Sequence, residues 1–348
     1  MTRPAVPRQP PAAVRPLPAG LPGPAEAIAL ADRDELRRAV LGWFAAHGRE
    51  LAFRSTGGPD AWAVLVSEVM AQQTGVARVE ERLPGFLAAF PSPAAMAAAS
   101  PADVIRAWRG LGYNRRAVGL HRAAVAIVAS GGGVPDDVEG LQALPCVGPY
   151  TARAVAAIAF GRPVGAVDVN VRRVVGRLVA GDPAALAPAA IQAAADALVD
   201  PGRPGTWTHA LMDLGATICR PARPACAACP ARVWCMAGGG RPARGGGVPA
   251  WGGAATSARD DAALGAGRTR PQSPVPFERT TRWLRGRIVD RLRDAPPGAS
   301  VAFDGPVGTH PRDTVLAALG ALARDGIVEQ AGAGSARLAG QPHAGEGP

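Results

Sequence analysis

No uninterrupted apolar run in the 348-residue sequence approaches the ~18 residues that a membrane-spanning helix needs. The first 24 residues hold too many prolines for a signal peptide, and we expect residues 1–24 to form an unpacked, disordered tail. These absences predict a soluble, cytoplasmic protein with no membrane partner.

Sustained alternation of apolar and polar residues is missing between residue 30 and Cys235, which argues against a core of half-buried strands. Helical stretches rich in Ala, Val and Leu instead alternate with short Gly and Pro breaks. Residues 25–236 are therefore predicted to form an all-α domain whose first helix starts near Asp32 or Asp34.

A second folded unit is expected near the C-terminal end, because one core rarely extends beyond about 250–300 residues. Residues 237–275 are dominated by Gly, Ala, Arg and Pro, the composition of a flexible linker. Residues 276–340 begin with Trp283, Ile288 and Leu292 at helical spacing, followed by a second helix, a Gly turn and a short strand. This order resembles a small winged-helix module.

Acidic residues are outnumbered, 28 against 38 basic ones, which gives a formal net charge of +10. Such an excess favours a polyanionic partner, and nucleic acid is the leading class. A codon bias that raises Arg, Ala, Gly and Pro throughout would produce the same charge, so the charge alone decides nothing.

Cysteine is scarce as well: there are five, and four are crowded into one short segment while Cys146 stands apart. In a cytoplasmic protein, such crowding points to metal ligation rather than disulfides. Cys219, Cys226, Cys229 and Cys235 are spaced C-x6-C-x2-C-x5-C, so four thiolates could enclose one compact inorganic centre. Zinc is the general alternative, although structural zinc sites more often pair two C-x2–4-C knuckles.

Residues 144–150, LPCVGPY, lie between a helix that starts near Asp136 or Asp137 and a helix over residues 151–160 that Gly161 ends. Two helices joined by a tight hairpin are predicted. A hairpin that ends at a helix N-terminus presents unpaired N–H groups and a positive dipole end, which suit a DNA phosphate. An ordinary turn between two helices is the alternative.

The run L-P-x-V-G-P-Y-T-A resembles the helix-hairpin-helix of the DNA glycosylases related to endonuclease III. By that resemblance, Pro145, Cys146, Val147 and Gly148 form the phosphate-binding hairpin. The family nearly always has Gly where this sequence has Cys146, and a cysteine adds strain if the position needs a positive φ. The cysteine spacing matches that family's loop, which implies a [4Fe-4S] cluster on the four crowded cysteines.

The run S-E-V-M-x-Q-Q-T is similar to the signature of the A/G-specific adenine glycosylases within that superfamily. The similarity implies that Glu68 protonates the leaving adenine and that Asp168 stabilises positive charge on the sugar. Tyr150 stands where strand-cleaving relatives carry a Schiff-base Lys, which implies base excision without β-elimination. We expect its phenol to contact Asp168 or the sugar, and Asn170 to position water or Asp168.

These residue types also have simpler explanations. Asp168 is a good N-cap for the helix that follows it, and a Glu such as Glu68 most often lies on an exposed helix face.

The same resemblance places several residues against DNA. Gln72, Gln73 and Thr74 would lie at the minor-groove side and fill the gap that an extruded base leaves. Tyr113 corresponds to a tyrosine that wedges beside the opposing 8-oxoguanine. Arg54 matches an L-P-W-R stretch near the adenine pocket.

The resemblance runs from about residue 30 to 236. Residues 276–340 do not look like the β-rich C-terminal domain that reads 8-oxoguanine in longer members, and His209 stands where relatives often have Gln or Glu.

We expect a monomeric, nucleoid-associated base-excision repair hydrolase whose partner is double-stranded DNA with an A:8-oxoguanine or A:G mispair. A thymine or uracil mismatch glycosylase is one alternative, against which Glu68 argues. A non-catalytic damage-binding protein is the other, against which the intact pair of Glu68 and Asp168 argues.

Overall fold

The computed structural model describes residues 30–54, 60–239 and 275–340. The predicted tail at residues 1–24 and nearly all of the predicted linker at 237–275 lie outside these ranges. No helix in the described ranges is long and apolar enough to cross a membrane.

Residues 30–54 and 60–239 fold into helices joined by short loops, with no strand in these two ranges. The first helix starts at Leu30, slightly before the predicted position. The helices are α1 (Leu30–His47), α2 (Ala61–Ala71), α3 (Val76–Ala89), α4 (Pro93–Ala98), α5 (Pro101–Ala107), α6 (Arg115–Ala129), α7 (Val138–Ala143), α8 (Pro149–Phe160), α9 (Val169–Ala180), α10 (Pro188–Leu198) and α11 (Pro204–Thr217).

Two hydrophobic cores divide these helices into two lobes. The first lobe packs α2 to α8 around buried side chains such as Leu65, Trp108 and Leu120. The second lobe packs α1 and α9 to α11 around Leu36 and Trp207, so the chain enters it at both ends. Helix α8 contacts both α2 and α11 and thereby joins the lobes. Because each fully buried large apolar side chain contributes roughly 1.5–3 kcal/mol, the cores hold the faces between the lobes in place.

The C-terminal module contains α12 (Thr281–Asp294), β1 (Val301–Ala302), α13 (Arg312–Arg324), β2 (Val328–Gln330) and β3 (Ser335–Leu338). The strands form an antiparallel sheet in the order β1-β3-β2, with Val301 opposite Ala336 and Val328 opposite Leu338. The prediction of a mostly helical protein with a small C-terminal module that includes strand is confirmed. The sheet has three strands where the sequence pattern predicted one.

This module packs directly on the first lobe, and its apolar residues join the same core. The guanidinium of the buried Arg293 donates to the carbonyl of Ile105 at 2.9 Å and to Oδ1 of Asn114 at 2.8 Å. Arg109 and Asp294 form an ion pair of 2.6 Å across the same boundary. The module is therefore fixed against α5 and the start of α6.

Candidate active site

Glu68 lies in the last half of α2, at the face where the first lobe meets the second, and only 8% of it is exposed. Burial raises the pKa of Glu68 to about 7, although a hydrogen bond to Tyr150 and the charge of Arg54 oppose the rise. The carboxyl group is therefore protonated in a large fraction of molecules at neutral pH, as a general acid requires.

Tyr150 stands in the first turn of α8, immediately after the hairpin. Its phenol hydrogen-bonds to Glu68 and lies within donating distance of Met212 Sδ, at 3.8 Å. The sequence suggested a contact with Asp168 or with the sugar, and among the described residues the phenol has no hydrogen bond to Asp168. Burial, and then the charges of Glu68 and Asp168, hold the pKa of Tyr150 well above its usual value. The phenol therefore remains a neutral donor beside the acid.

Asp168 is the N-cap of α9: its Oδ1 accepts from the Val171 backbone N–H at 2.7 Å. Its Oδ2 accepts from Asn170 Nδ2 at 3.0 Å, so Asn170 contacts Asp168, one of its two expected roles. The charge of Asp168 contributes to the raised pKa values of Glu68 and Tyr150, which places it in the same pocket. Capping and a role in this pocket are compatible, because the cap orients the carboxylate.

Arg54 turns into the protein rather than towards solvent. Its side chain is 11% exposed, and its two terminal nitrogens donate to the fully buried carboxylate of Asp213 at 3.0 Å each. Arg49 binds the same carboxylate. Burial alone would raise the pKa of Asp213, but the hydrogen bonds from Arg54 and Arg49 hold that pKa below its usual value. Arg54 thus acts electrostatically on Glu68 from inside the protein, and both of its terminal nitrogens contact Asp213.

His209 lies one helical turn before Asp213 on α11. Burial, followed by the charge of Arg54, lowers the pKa of His209 to about 3, so the ring is neutral. Its Nδ1 is buried and has no hydrogen-bond partner among the described residues. We refer to the space around Glu68, Tyr150, Asp168 and the Arg54–Asp213 pair as the catalytic pocket.

Gln72 and Thr74 connect the end of α2 to its surroundings. Gln72 Nε2 donates to Thr151 Oγ1 at 3.2 Å, and Thr74 Oγ1 donates to the Leu111 carbonyl at 3.3 Å. The buried guanidinium of Arg116 donates to the carbonyls of Val69, Met70 and Gln72 and to Thr74 Oγ1. Sequence reasoning missed Arg116, because nothing in an Arg-rich stretch distinguishes a buried arginine.

The predicted helix-hairpin-helix consists of α7, residues 144–148 and α8. Asp137 caps α7 by accepting from the Gly140 N–H at 2.8 Å, and Gly161 ends α8 with φ 64°. Cys146 has φ 62°, so the condition for strain is met. Its side chain fits because residue 119 is Gly, where a Cβ would come within 2.6 Å of the cysteine Cβ.

Within the described ranges, the non-glycine residues with positive φ are Gln73 (56°), Tyr113 (44°) and Cys146 (62°). All three line one cavity of about 480 Å³, which we call the arginine cavity. The other residues that line it are Gln72, Arg115, Arg116, Gly119, Arg122, Pro145, Arg324 and Asp325. Strained backbone concentrates at functional sites, and the cavity brings together five of the predicted DNA-binding residues, Gln72, Gln73, Tyr113, Pro145 and Cys146.

The four crowded cysteines follow α11 and lie close enough for each thiol to influence the others electrostatically. Arg177 donates to Cys219 Sγ at 3.5 Å, and Arg173 donates to the Cys219 carbonyl at 2.6 Å. Cys235 Sγ lies 3.4 Å from the Arg177 carbonyl. Among the described residues, no three His, Cys, Asp or Glu side chains are placed to hold a single metal ion. The loop is thus tied to α9, without the arrangement of a one-ion site.

Comparisons with known proteins place the chain in a family. The model of the HhH-GPD superfamily of base excision DNA repair proteins matches residues 66–199. The adenine DNA glycosylase of Mycolicibacterium smegmatis is 39% identical over 310 residues, which cover 88% of this chain and 97% of that protein. The adenine DNA glycosylase of Mycobacterium tuberculosis is 41% identical over 260 residues, 74% of this chain and 78% of that protein.

Among solved structures, a thermostable thymine-DNA glycosylase aligns with a TM-score of 0.56 and 26% identity, over 60% of this chain and 96% of its own. The chain therefore belongs to the adenine DNA glycosylase family of the HhH-GPD superfamily.

Proposed function

We propose that the protein hydrolyses the N-glycosidic bond of adenine paired with 8-oxoguanine or guanine in double-stranded DNA, and that it leaves the strand intact. The observation that carries this proposal is a buried carboxyl, Glu68, whose pKa of about 7 suits proton donation to a purine. Adenine leaves poorly as an anion, so protonation of its ring must accompany the breaking bond. A flipped adenine would receive that proton from Glu68.

Asp168 supplies the second half of the chemistry. Loss of adenine leaves positive charge on the sugar, and a fixed carboxylate stabilises that charge without having to reorganise. The backbone N–H of Val171 and the amide of Asn170 hold the carboxylate of Asp168 in place. Water then adds to the sugar and completes the hydrolysis.

Strand cleavage through a Schiff base needs an amine at the reacting sugar. Tyr150 occupies the position of the lysine in strand-cleaving relatives, and its phenol hydrogen-bonds to Glu68 instead. The sequence contains no lysine at all, so every one of its 38 basic residues is arginine. Both observations support a monofunctional enzyme.

DNA would lie across the hairpin and the end of α2. Gln73 is exposed and Tyr113 half-exposed, and both line the cavity beside the catalytic pocket. We assign Gln73 to the gap left by the extruded adenine and Tyr113 to a wedge beside the opposing base. The exposed Gly148, which caps α8 without a side chain, leaves the helix N-terminus open to a phosphate.

The four cysteines fit a [4Fe-4S] cluster, which Cys219, Cys226, Cys229 and Cys235 would hold. The donor set is four thiols on one short loop, and the other cysteines act electrostatically on the thiols of Cys229 and Cys235. When bound, the cluster supplies iron–thiolate bonds that fix the loop. Arg173 and Arg177 already connect that loop to α9, the helix that Asp168 caps.

The cluster has its own test. The purified holoprotein should absorb visible light at about 400 nm, and replacing Cys229 by Ser should remove that band. A colourless protein that contains one zinc ion would contradict the assignment.

Removal of thymine or uracil from mismatches is the second candidate, because the fold resembles a thymine-DNA glycosylase with a TM-score of 0.56. Pyrimidine excision does not require an acid that protonates a purine ring, so it does not explain the raised pKa of Glu68.

The C-terminal module has the element order helix, strand, helix and two further strands within residues 276–340. This order supports the winged-helix-like assignment, which stays a prediction.

Base release from duplexes that contain A:8-oxoguanine, A:G, T:G or U:G tests the proposal. We expect adenine release from the first two, with strand breaks appearing only after alkali treatment. Glu68→Gln should lower the rate of adenine release by about 10²–10⁴-fold. Its matched control is Glu81→Gln, which changes a 53% exposed carboxylate on the neighbouring helix and should have no effect. Preferential release of thymine or uracil would overturn the proposal.

A further inference from the structure

The arginine cavity lies next to the catalytic pocket but takes no part in its chemistry. Gln72 lines the cavity and hydrogen-bonds to Thr151, the residue that follows Tyr150, so the two spaces adjoin. One wall comes from the first lobe, through Arg115 and Arg122 on α6. The other wall comes from the C-terminal module, through Arg324 and Asp325 at the end of α13.

The charges that line the cavity are unbalanced. Arg115, Arg122 and Arg324 are exposed, and within the described ranges none of them has an ion pair or a hydrogen bond from its side chain. The carboxylate of Asp325 cannot compensate for all of them, because it is paired with Arg285. Three cations held around one space without counter-charges form a place for an anion.

Packing fixes the two walls relative to each other. The guanidinium of Arg282 on α12 lies 4.3 Å from the centre of the Tyr113 ring. Gly326 approaches Arg122 so closely that a Cβ there would come within 2.6 Å of its guanidinium. With the buried contacts of Arg293, these contacts place Arg324 beside arginines that lie some 200 positions earlier in the chain.

The position of the cavity indicates which anion it binds. An adenine that enters the catalytic pocket leaves its partner base on the duplex side of Gln73 and Tyr113, and both of these residues line the cavity. With Gln73 and Tyr113 in the roles proposed above, the backbone of the strand that carries the opposing base runs past this opening. A guanidinium binds a phosphodiester through paired hydrogen bonds and neutralises its charge.

We propose that the arginine cavity binds a backbone phosphate of the strand opposite the excised adenine, and that the C-terminal module contributes Arg324 to this contact. The proposal rests on the proposed function, because it assumes a duplex with one flipped base. The proposal gives the C-terminal module a role in binding DNA that does not require it to read the oxidised base.

Equilibrium binding of the full-length protein tests the proposal. The duplexes contain A:8-oxoguanine, A:G or A:T, and a 2′-fluorine on the adenosine blocks hydrolysis. Arg324→Ala should weaken binding to all three by a similar factor, about tenfold, and reduce the slope of log affinity against log salt by about one. The matched control is Arg291→Ala, which removes an exposed arginine of the same module outside the cavity.

Neutral methylphosphonate linkages then identify the strand. A neutral linkage near the opposing base should weaken binding by the wild type but have little further effect on Arg324→Ala, since both changes remove one contact. The same linkage on the adenine strand should weaken both proteins equally. Coupling to the adenine strand would overturn the strand assignment.

Two further results would overturn the proposal as a whole. In one, Arg324→Ala binds like Arg291→Ala. In the other, it loses affinity only for A:8-oxoguanine, which would mean that Arg324 reads the base. These measurements need no catalysis, so a protein that bound as expected but released no adenine would refute the proposed function and leave this contact standing.

Discussion

The catalytic pocket and the arginine cavity adjoin at Gln72, but they treat charge in opposite ways. In the catalytic pocket the carboxyl groups of Asp213 and Glu68 are buried and have partners: Asp213 binds two arginines, and Glu68 hydrogen-bonds to Tyr150. In the cavity Arg115, Arg122 and Arg324 are exposed and have no acidic partner among the described residues. Proton transfer to a neutral base needs a dry site that tunes a pKa, whereas binding a polyanion needs cations that no internal carboxylate has neutralised.

The largest loss of stability should follow a substitution that leaves arginines of the catalytic pocket without a counter-charge, as they are in the cavity. Asp213→Asn removes the buried charge that Arg49 and Arg54 share, and we expect the free energy of unfolding to fall by about 3–5 kcal/mol. Urea denaturation measures this. Asp34→Asn, which changes a 70% exposed partner of Arg37, should cost less than about 1 kcal/mol. Equal effects of the two substitutions would show that burial does not distinguish the sites.

The charge of Asp168 can be separated from its function as a helix cap. Asn caps helices about as well as Asp, so Asp168→Asn should leave stability within about 1 kcal/mol while single-turnover adenine release slows by about 100-fold or more. Asp137→Asn, the equivalent change at the N-cap of α7, should leave both quantities unchanged. An unchanged rate for Asp168→Asn would remove it from the chemistry.

The rate of adenine release and the affinity for the duplex should differ in their pH dependence near neutrality. Glu68 acts in its protonated form, so the rate constant for adenine release should be level below about pH 7 and fall about tenfold per unit above it. Tyr150, which faces Glu68, keeps its charge state through this range, because burial raises its pKa. Duplex affinity should stay level across the same range.

The same shift affects stability with a defined sign. The pKa of Glu68 is about 7 in the folded state and about 4.5 in the unfolded state. The contribution of Glu68 to the free energy of unfolding is therefore fully present below about pH 4.5 and is lost as the pH rises through about 7. Glu68→Gln should therefore unfold at a higher temperature than the wild type at about pH 8, but not at about pH 4. In the rate measurement described above, a rate constant for adenine release that increases with pH above about pH 7 would contradict the role of Glu68 as the acid.

Strain in the arginine cavity should have the smallest effect. Cys146→Gly places the residue type that favours φ 62° at this hairpin position, and we expect stability to rise by about 0.5–1 kcal/mol. Gly119→Ala should destabilise the protein, because the new Cβ would lie 2.6 Å from the Cβ of Cys146. Cys146→Gly should rescue it, and a double-mutant cycle measures the coupling. Additive effects would show that the two positions do not share this space.

Much of the architecture follows from local sequence. Apolar periodicity and Gly or Pro breaks predicted the helices, Asp137 was one of two expected caps of α7, and Gly161 ends α8 as expected. The hydrogen-bond partner of Tyr150 and the inward turn of Arg54 were not predicted. Both depend on which helices pack against each other across the two lobes. Apolar periodicity predicts which face of a helix is buried, but not which helix packs against that face.

The sequence by itself determined the helical domain, the hairpin before Tyr150, the crowded cysteines and the absence of lysine, because each is a matter of residue type and spacing. Only the tertiary structure decided that Glu68 has a pKa of about 7, that Arg54 pairs with a carboxylate 159 positions away, and that Arg324 completes a cavity of the first lobe. Burial and charge act through space, so they appear only when distant segments are packed together.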